Sequence, residues 1–173
     1  MKDYWLAKLI SSVDVVNSRK KLQKIIYLLY KSGCPLQCEY ILHYYGPYSF
    51  ELAGLVDKLK SSKLIEENPE QQRTNVISYR SKMSEQGKKK LREFEESTKG
   101  KSLLNNISPF ISQFQELNKE KMRVLELAAT IAFFHDGNWQ EAKRQTAAFK
   151  KVKIGDSKLE EAFTLAKKFK KSA

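Results

Sequence analysis

The chain has 173 residues, with 32 lysines and arginines against 20 aspartates and glutamates, a formal net charge of +12 and a pI near 9.6. An apolar content of 41%, with 11% aromatic, suffices for an ordinary packed core and excludes a wholly disordered chain. No apolar run reaches the roughly 18 residues of a membrane span, and Met1-Lys-Asp-Tyr-Trp-Leu-Ala-Lys lacks a signal-peptide apolar stretch, so a soluble cytoplasmic protein with no membrane partner is expected.

Lys2 to Val13 reads as a first helix, and Asn17 and Ser18 then offer capping oxygens. A stronger helix follows over Arg19 to Lys31, where Leu22, Ile25, Ile26 and Leu29 make an i, i+3, i+4, i+7 stripe. Gly33 and Pro35 stop it. Glu39 to Tyr45 is β-branched and aromatic, which suits a short strand ended by Gly46-Pro47. Pro47 then opens a third helix, from about Tyr48 to Ser61, with Leu52, Leu55, Val56 and Leu59 facing inward. Lys63-Leu-Ile-Glu-Glu, a turn around Asn68-Pro69-Glu70, and Thr74 to Arg80 read as a β-hairpin.

From Ser81 onward the pattern is helical. Ser84 to Glu96 is a charged helix broken near Gly100, and Leu103, Ile107, Phe110, Ile111, Phe114 and Leu117 form another apolar stripe. Met122 to Phe134 is apolar on nearly every side and is expected at the buried centre of a bundle. Asn138 with Glu141, and Ser157 with Glu160, fit capping boxes that start helices at Trp139 to Lys150 and Lys158 to Lys171.

This order predicts an α+β, mostly helical fold. A winged helix-turn-helix-like domain spans residues 1–82, and a C-terminal helical region, residues 83–173, packs on it. The residues also carry a resemblance. Lys21-Leu-Gln-Lys-Ile-Ile-Tyr-Leu-Leu and His43-Tyr-Tyr-Gly-Pro-Tyr-Ser-Phe-Glu-Leu, with Glu126-Leu-Ala-Ala-Thr-Ile-Ala-Phe-Phe later, resemble the YwgA-like family of prokaryotic proteins and, more distantly, the Panacea-domain proteins. That resemblance implies a winged-helix-like N-terminal part. It also implies binding rather than catalysis, in toxin-neutralisation, phage or mobile-element settings, and it supplies no active site.

Catalysis finds little support in the residues themselves. His43 and His135 are the two histidines, hence the two side-chain bases of ordinary neutral pKa. His43, inside an aromatic strand, reads as a packed structural histidine, and His135, ending an apolar helix, as an imidazolium on the helix dipole. Cys34 and Cys38 are expected to be free thiols, since neither a second Cys pair nor a neighbouring His completes a zinc set. No catalytic residue, metal or cofactor is expected.

The charge excess points to polyanions. It amounts to +4 over residues 1–60, +2 over 61–100 and +6 over 101–173. The third helix is neutral and has no arginine, and Glu66, Glu67 and Glu70 sit on the hairpin, so groove reading is disfavoured. Candidate phosphate contacts are Arg19, Lys20, Lys21 and Lys24; Lys58 and Lys60; Lys88, Lys89, Lys90 and Arg92; and Lys167, Lys168, Lys170 and Lys171. Tyr44, Tyr45 and Tyr48 are candidates for a partner-binding patch, although strand alternation favours packing for about half of that aromatic run. Two functions are therefore expected to compete. One is a non-enzymatic winged-helix DNA-binding regulator, making mainly backbone contacts and able to homodimerise. The other is a protein-interaction module, an antitoxin-like or phage-associated adaptor.

Overall fold

Helices α1 (Lys2–Ser11) and α2 (Arg19–Lys31) open the chain in the computed structural model, which describes residues 1–71, 73 and 75–171. Helix α2 keeps its sequence-predicted bounds because Ser18 accepts the Lys21 backbone N–H, satisfying one free donor of the first turn. Strand β1 (Ile41–His43) pairs antiparallel with β2 (Gly46–Tyr48) and leads into α3 (Phe50–Ser61). A second hairpin, β3 (Ile65–Gln71) and β4 (Ile77–Met83), follows in antiparallel register from Ile65↔Met83 to Gln71↔Ile77. Thr74, where the sequence pattern begins the second strand, lies outside the described residues. Val16 exchanges both backbone hydrogen bonds with Ser81 at 2.9 Å, so the loop after α1 ties this hairpin to the start of the fold.

The remainder is helical: α4 (Glu85–Glu95), α5 (Thr98–Ile107), a 3-10 turn (Ser108–Phe110), α6 (Ile111–Lys119), α7 (Met122–Phe134), α8 (Trp139–Lys150) and α9 (Ser157–Lys168). The architecture is α+β, mostly helical, with two small antiparallel sheets. Helix α7 is the centre, buried continuously from Val124 to Ala132, and α2, α8, α9 and β2 all pack against it. Helix α1 packs against α3, β4, α4 and α5. A single apolar cluster runs from Tyr4 through Leu28, Leu52 and Leu127 to Phe169.

Several local expectations are corrected. Pro47 does not open α3: it pairs with Leu42 in the first hairpin, and Ser49 caps α3 by accepting the Leu52 N–H. The break after α4 falls at Ser97, which caps α5 through the Gly100 N–H, so Gly100 lies inside a helix. The apolar stripe from Leu103 to Leu117 is divided by the 3-10 turn around Pro109. The last helix is capped one residue early, because the Asp156 carboxylate reaches both the Lys158 and Leu159 N–H groups.

Two helical glycines test this packing with opposite signs. A Cβ on Gly100 would stand 1.9 Å from the Phe94 carbonyl oxygen, whereas one on Gly54 meets nothing within 4 Å. Alanine ordinarily stabilises a helix interior by about 1 kcal/mol over glycine. Denaturant titration is therefore expected to find Gly54→Ala stabilised by about that amount and Gly100→Ala destabilised by about 1–3 kcal/mol through overpacking.

Candidate nucleic-acid interface

Helix α2 is amphipathic by sequence yet buried over the whole stretch from Lys21 to Leu29. Its polar side chains are enclosed because α6, α7 and β2 cover them, and each donates to a backbone carbonyl. Lys21 Nζ donates to Asn118 O at 2.6 Å, Gln23 Nε2 to Ser49 O at 2.8 Å and Lys24 Nζ to Pro47 O at 2.7 Å. Gln23 Oε1 also accepts the Ser49 N–H at 2.9 Å. These bonds satisfy groups whose burial would otherwise cost several kcal/mol each.

They also fix the first hairpin. His43↔Gly46 closes a two-residue loop, Tyr44-Tyr45, and the positive φ of +90° falls on Gly46. A side chain at Gly46 would stand 2.9 Å from Thr130 Oγ1, so glycine lets the hairpin seat directly on α7. The loop aromatics consequently face outward: Tyr44 is 66% and Tyr45 48% exposed, and Phe50, at the start of α3, is 72% exposed. The rings of His43 and Tyr45 lie nearly parallel, 5.5 Å apart, and Tyr48 meets Phe50 edge-on at 5.1 Å.

A charge cluster lies beneath this hairpin. Glu126 of α7 accepts a short hydrogen bond from Lys150 of α8, and lies 3.3 Å from Arg123 and 3.4 Å from Lys20. Lys150 is almost wholly buried and also donates to the Tyr44 carbonyl at 2.7 Å. The Lys20 ammonium sits 3.9 Å over the Tyr45 ring, a cation–π arrangement. Burial raises the Glu126 pKa, but the Lys150 hydrogen bond and the charges of Lys150 and Lys20 outweigh it and hold the carboxyl below its usual range. Burial brings Lys24 down to about 8, opposed by the charge of Glu126 and reinforced by those of Lys150 and Lys20. One carboxylate thus answers four cations, Lys20, Lys24, Arg123 and Lys150, and the ensemble remains strongly positive.

A cleft of about 460 Å³ opens beside the cluster, between the first turns of α2 and α3 and the hairpin. Lys20, Lys24, His43, Tyr45, Tyr48 and Phe50 line it, over a floor that includes Leu52 and Val56. Flat rings, an apolar floor and surplus cations suit a planar anionic group. No group of three or more His, Cys, Asp or Glu is placed to hold a metal ion among the described residues. Cys34 and Cys38 are free and buried, and burial pushes both thiols up to about 11.

No family model matches the chain. Over 140 residues it is 30% identical to a Bacillus subtilis (strain 168) protein described as uncharacterised protein YwgA, covering 81% of this chain and 78% of that relative. The chain belongs to the YwgA family. In this YwgA-family chain the first two of the stretches that carried the resemblance meet in space, since Gln23 and Lys24 of the one hold Pro47 and Ser49 of the other.

The candidate residues named from sequence have separate fates. Lys21 and Lys24 are withdrawn from the surface, contrary to a phosphate-contacting role, because their ammonium groups are needed by buried carbonyls. Arg19 is neutralised by a two-pronged bond to Glu67, at 2.7 Å on each prong, and by Asp57 at 2.8 Å. Glu67 is correspondingly turned inward and is not part of an acidic hairpin tip. Lys58 pairs with Asp3 and Lys60 with Glu67. On α4, Lys88 and Lys89 pair with Glu85 and Glu93, Arg92 is exposed, and Lys90 lines a separate cavity of about 300 Å³ against α1. Lys167 lies 5.0 Å from the Phe163 ring, Lys168 pairs with Glu116, and Lys170 and Lys171 are exposed.

Lys171 packs near Gly33, at the far end of α2 from Lys20, about 20 Å along a helix of 13 residues. The α4 run stands instead beside α1, through the Tyr4–Phe94 ring contact and the Lys8–Glu95 ion pair. The clusters at 19–24, 88–92 and 167–171 therefore occupy different places. Sequence reasoning missed Arg123, Glu126 and Lys150, which join Lys20 across more than 100 residues, a pairing that no local spacing signals. His43 is exposed rather than packed, because the hairpin turns outward at Gly46. His135 stacks on Trp139 at 3.7 Å, and burial together with Lys170 and Lys31 lowers its pKa, which disfavours the expected imidazolium.

Lys24 gives this site a pH signature. Its folded value of about 8 lies below the ordinary 10.5, so within that window the unfolded chain binds the proton more strongly and stability rises with pH. Relative to Lys24→Met, the wild type is expected to gain about 2–3 kcal/mol between the two values, as read by denaturant titrations at several pH values. A difference that stays flat across the window would refute a buried, destabilised ammonium.

Proposed function

We propose that the protein binds DNA without catalysing a reaction, as a winged-helix regulator in a prokaryotic host or mobile element, and that its contact surface is the β1–β2 hairpin rather than α3. The observation that carries this reading is the surplus of cations around Glu126 directly beneath exposed aromatic rings. The β3–β4 hairpin, which directly follows α3, supports the winged part of this reading, with the β1–β2 hairpin standing between α2 and α3. The more distant likeness to Panacea-domain proteins also favours binding over catalysis.

Helix α3 is poorly suited to enter a groove. All four of its charged side chains are in ion pairs, Glu51 with Lys2, Asp57 with Arg19, Lys58 with Asp3 and Lys60 with Glu67. Backbone phosphates are better met by Lys20 and Arg123, whose heads Glu126 holds in place and whose charge it only partly offsets. In this reading the histidines have local roles: His43 accepts the Tyr45 N–H and His135 is stacked on Trp139.

The second reading, a protein-interaction module, is favoured by the β3–β4 hairpin, which exposes Val76, Ile77 and Tyr79. Fluorescence anisotropy with a labelled duplex across a salt series separates the two. DNA binding predicts log affinity falling linearly with log salt, and Lys20→Gln or Arg123→Gln each reducing the slope by about 1. No binding to nucleic acid at low salt would sink the first reading, and a stoichiometric protein co-purifying from the native host in that case would establish the second.

A further inference from the structure

The cleft beside the hairpin has a shape that duplex binding does not use. Backbone neutralisation needs only exposed cations, yet here Lys20 shares a recess with His43, Tyr45, Tyr48 and Phe50. Rings at an exposed edge can stack a nucleobase only when that base has left its own duplex stack. We infer that the cleft takes an unpaired nucleotide of a DNA strand, so that the protein prefers single-stranded or locally opened DNA to closed duplex. This inference rests on the DNA-binding reading above and specifies its substrate.

The arrangement is preorganised for such a ligand. Gly46 seats on Thr130 and Lys24 holds the Pro47 carbonyl, so the aromatic loop is clamped to α2 and α7 from below. The Lys20 head, 3.9 Å over the Tyr45 ring and 3.4 Å from Glu126, places a cation among the rings that line the cleft, within reach of the phosphate of a nucleotide bound there. Glu126 gathers cations that would otherwise repel one another, while leaving net positive charge at the cleft. With all four charged side chains of α3 in ion pairs, selection falls to the rings, and stacking is tolerant of base identity. Strandedness, rather than a base sequence, is what this surface distinguishes.

Anisotropy of the full chain with a labelled oligothymidylate, with the same strand annealed to its complement, and with thymidine monophosphate as competitor tests this directly. An oligonucleotide carrying a fluorescent aminopurine adds a readout that responds to stacking. The single strand is expected to bind more tightly than the duplex and the aminopurine emission to be quenched on binding. Tyr45→Ala is expected to weaken strand binding by about 5- to 100-fold and to abolish the quenching, with a smaller loss for duplex, and Tyr45→Phe to retain both affinities and the quenching. A thermal melt of each variant checks that the hairpin change leaves the core intact. Equal affinity for strand and duplex, with unquenched emission, would overturn the inference and leave the DNA-binding reading standing. Absence of binding to either form would overturn both. Competition by thymidine monophosphate at the strand's own affinity would overturn strand recognition in favour of a free-nucleotide pocket.

Discussion

The polar side of α2 governs the arrangement of this protein. An amphipathic helix ordinarily turns its lysines to water, but α2 is roofed by α6, α7 and β2, and its lysines and glutamine must find partners inside. They find backbone carbonyls at the ends and edges of elements: Asn118 in the last turn of α6, Pro47 in the short strand β2 and Ser49 just after it. Such positions carry backbone groups that no regular ladder satisfies, and long side chains from a rigid helix supply the missing donors. The β1–β2 hairpin, too short to be stable by itself, is thereby held between two helices.

The chemistry of the surface follows from that seating. Because Gly46 allows close approach to Thr130, the Tyr44-Tyr45 loop projects outward above the end of α2 and beside α8. Lys20 and Lys150 meet it there, and Glu126 binds both to α7. Buried ion pairs need good geometry to offset their desolvation. Here three cationic heads converge on one carboxylate, and a fourth, Lys24, is close enough to feel its charge. The cluster works as a rigid positive platform, and the +12 of the whole chain is a poor guide to it. Much of the charge on α3, α4 and β4 is paired with neighbouring acids, as in Lys58–Asp3, Lys88–Glu85 and Lys82–Glu66.

Local signals in the sequence were strong where a helix's own periodicity and caps decide its extent. The ends of α2, the burial of α7 and the Asn138 cap of α8 all follow from residues within a few positions of one another. The signals were weaker where a residue has two uses. Pro47 suits the first turn of a helix as well as a hairpin, and Ser49 tipped the balance by capping α3 two residues later. Asp156 took the cap expected of Ser157, because its carboxylate reaches two N–H groups. Gly100 looks like a break but allows α5 to approach the end of α4.

By itself the sequence determined a mostly helical α+β chain, the two motifs Lys21-Leu-Gln-Lys and Tyr45-Gly-Pro-Tyr-Ser, and the family to which they belong. Tertiary structure alone decided which lysines are buried clamps and which are surface charge. Lys20 and Lys24 are four residues apart on one helix, yet one reaches a tyrosine ring at the surface and the other a carbonyl in the core. The physical reason is that a lysine's role depends on what covers its helix, and the cover comes from β2 and α7, contributed by distant stretches of chain.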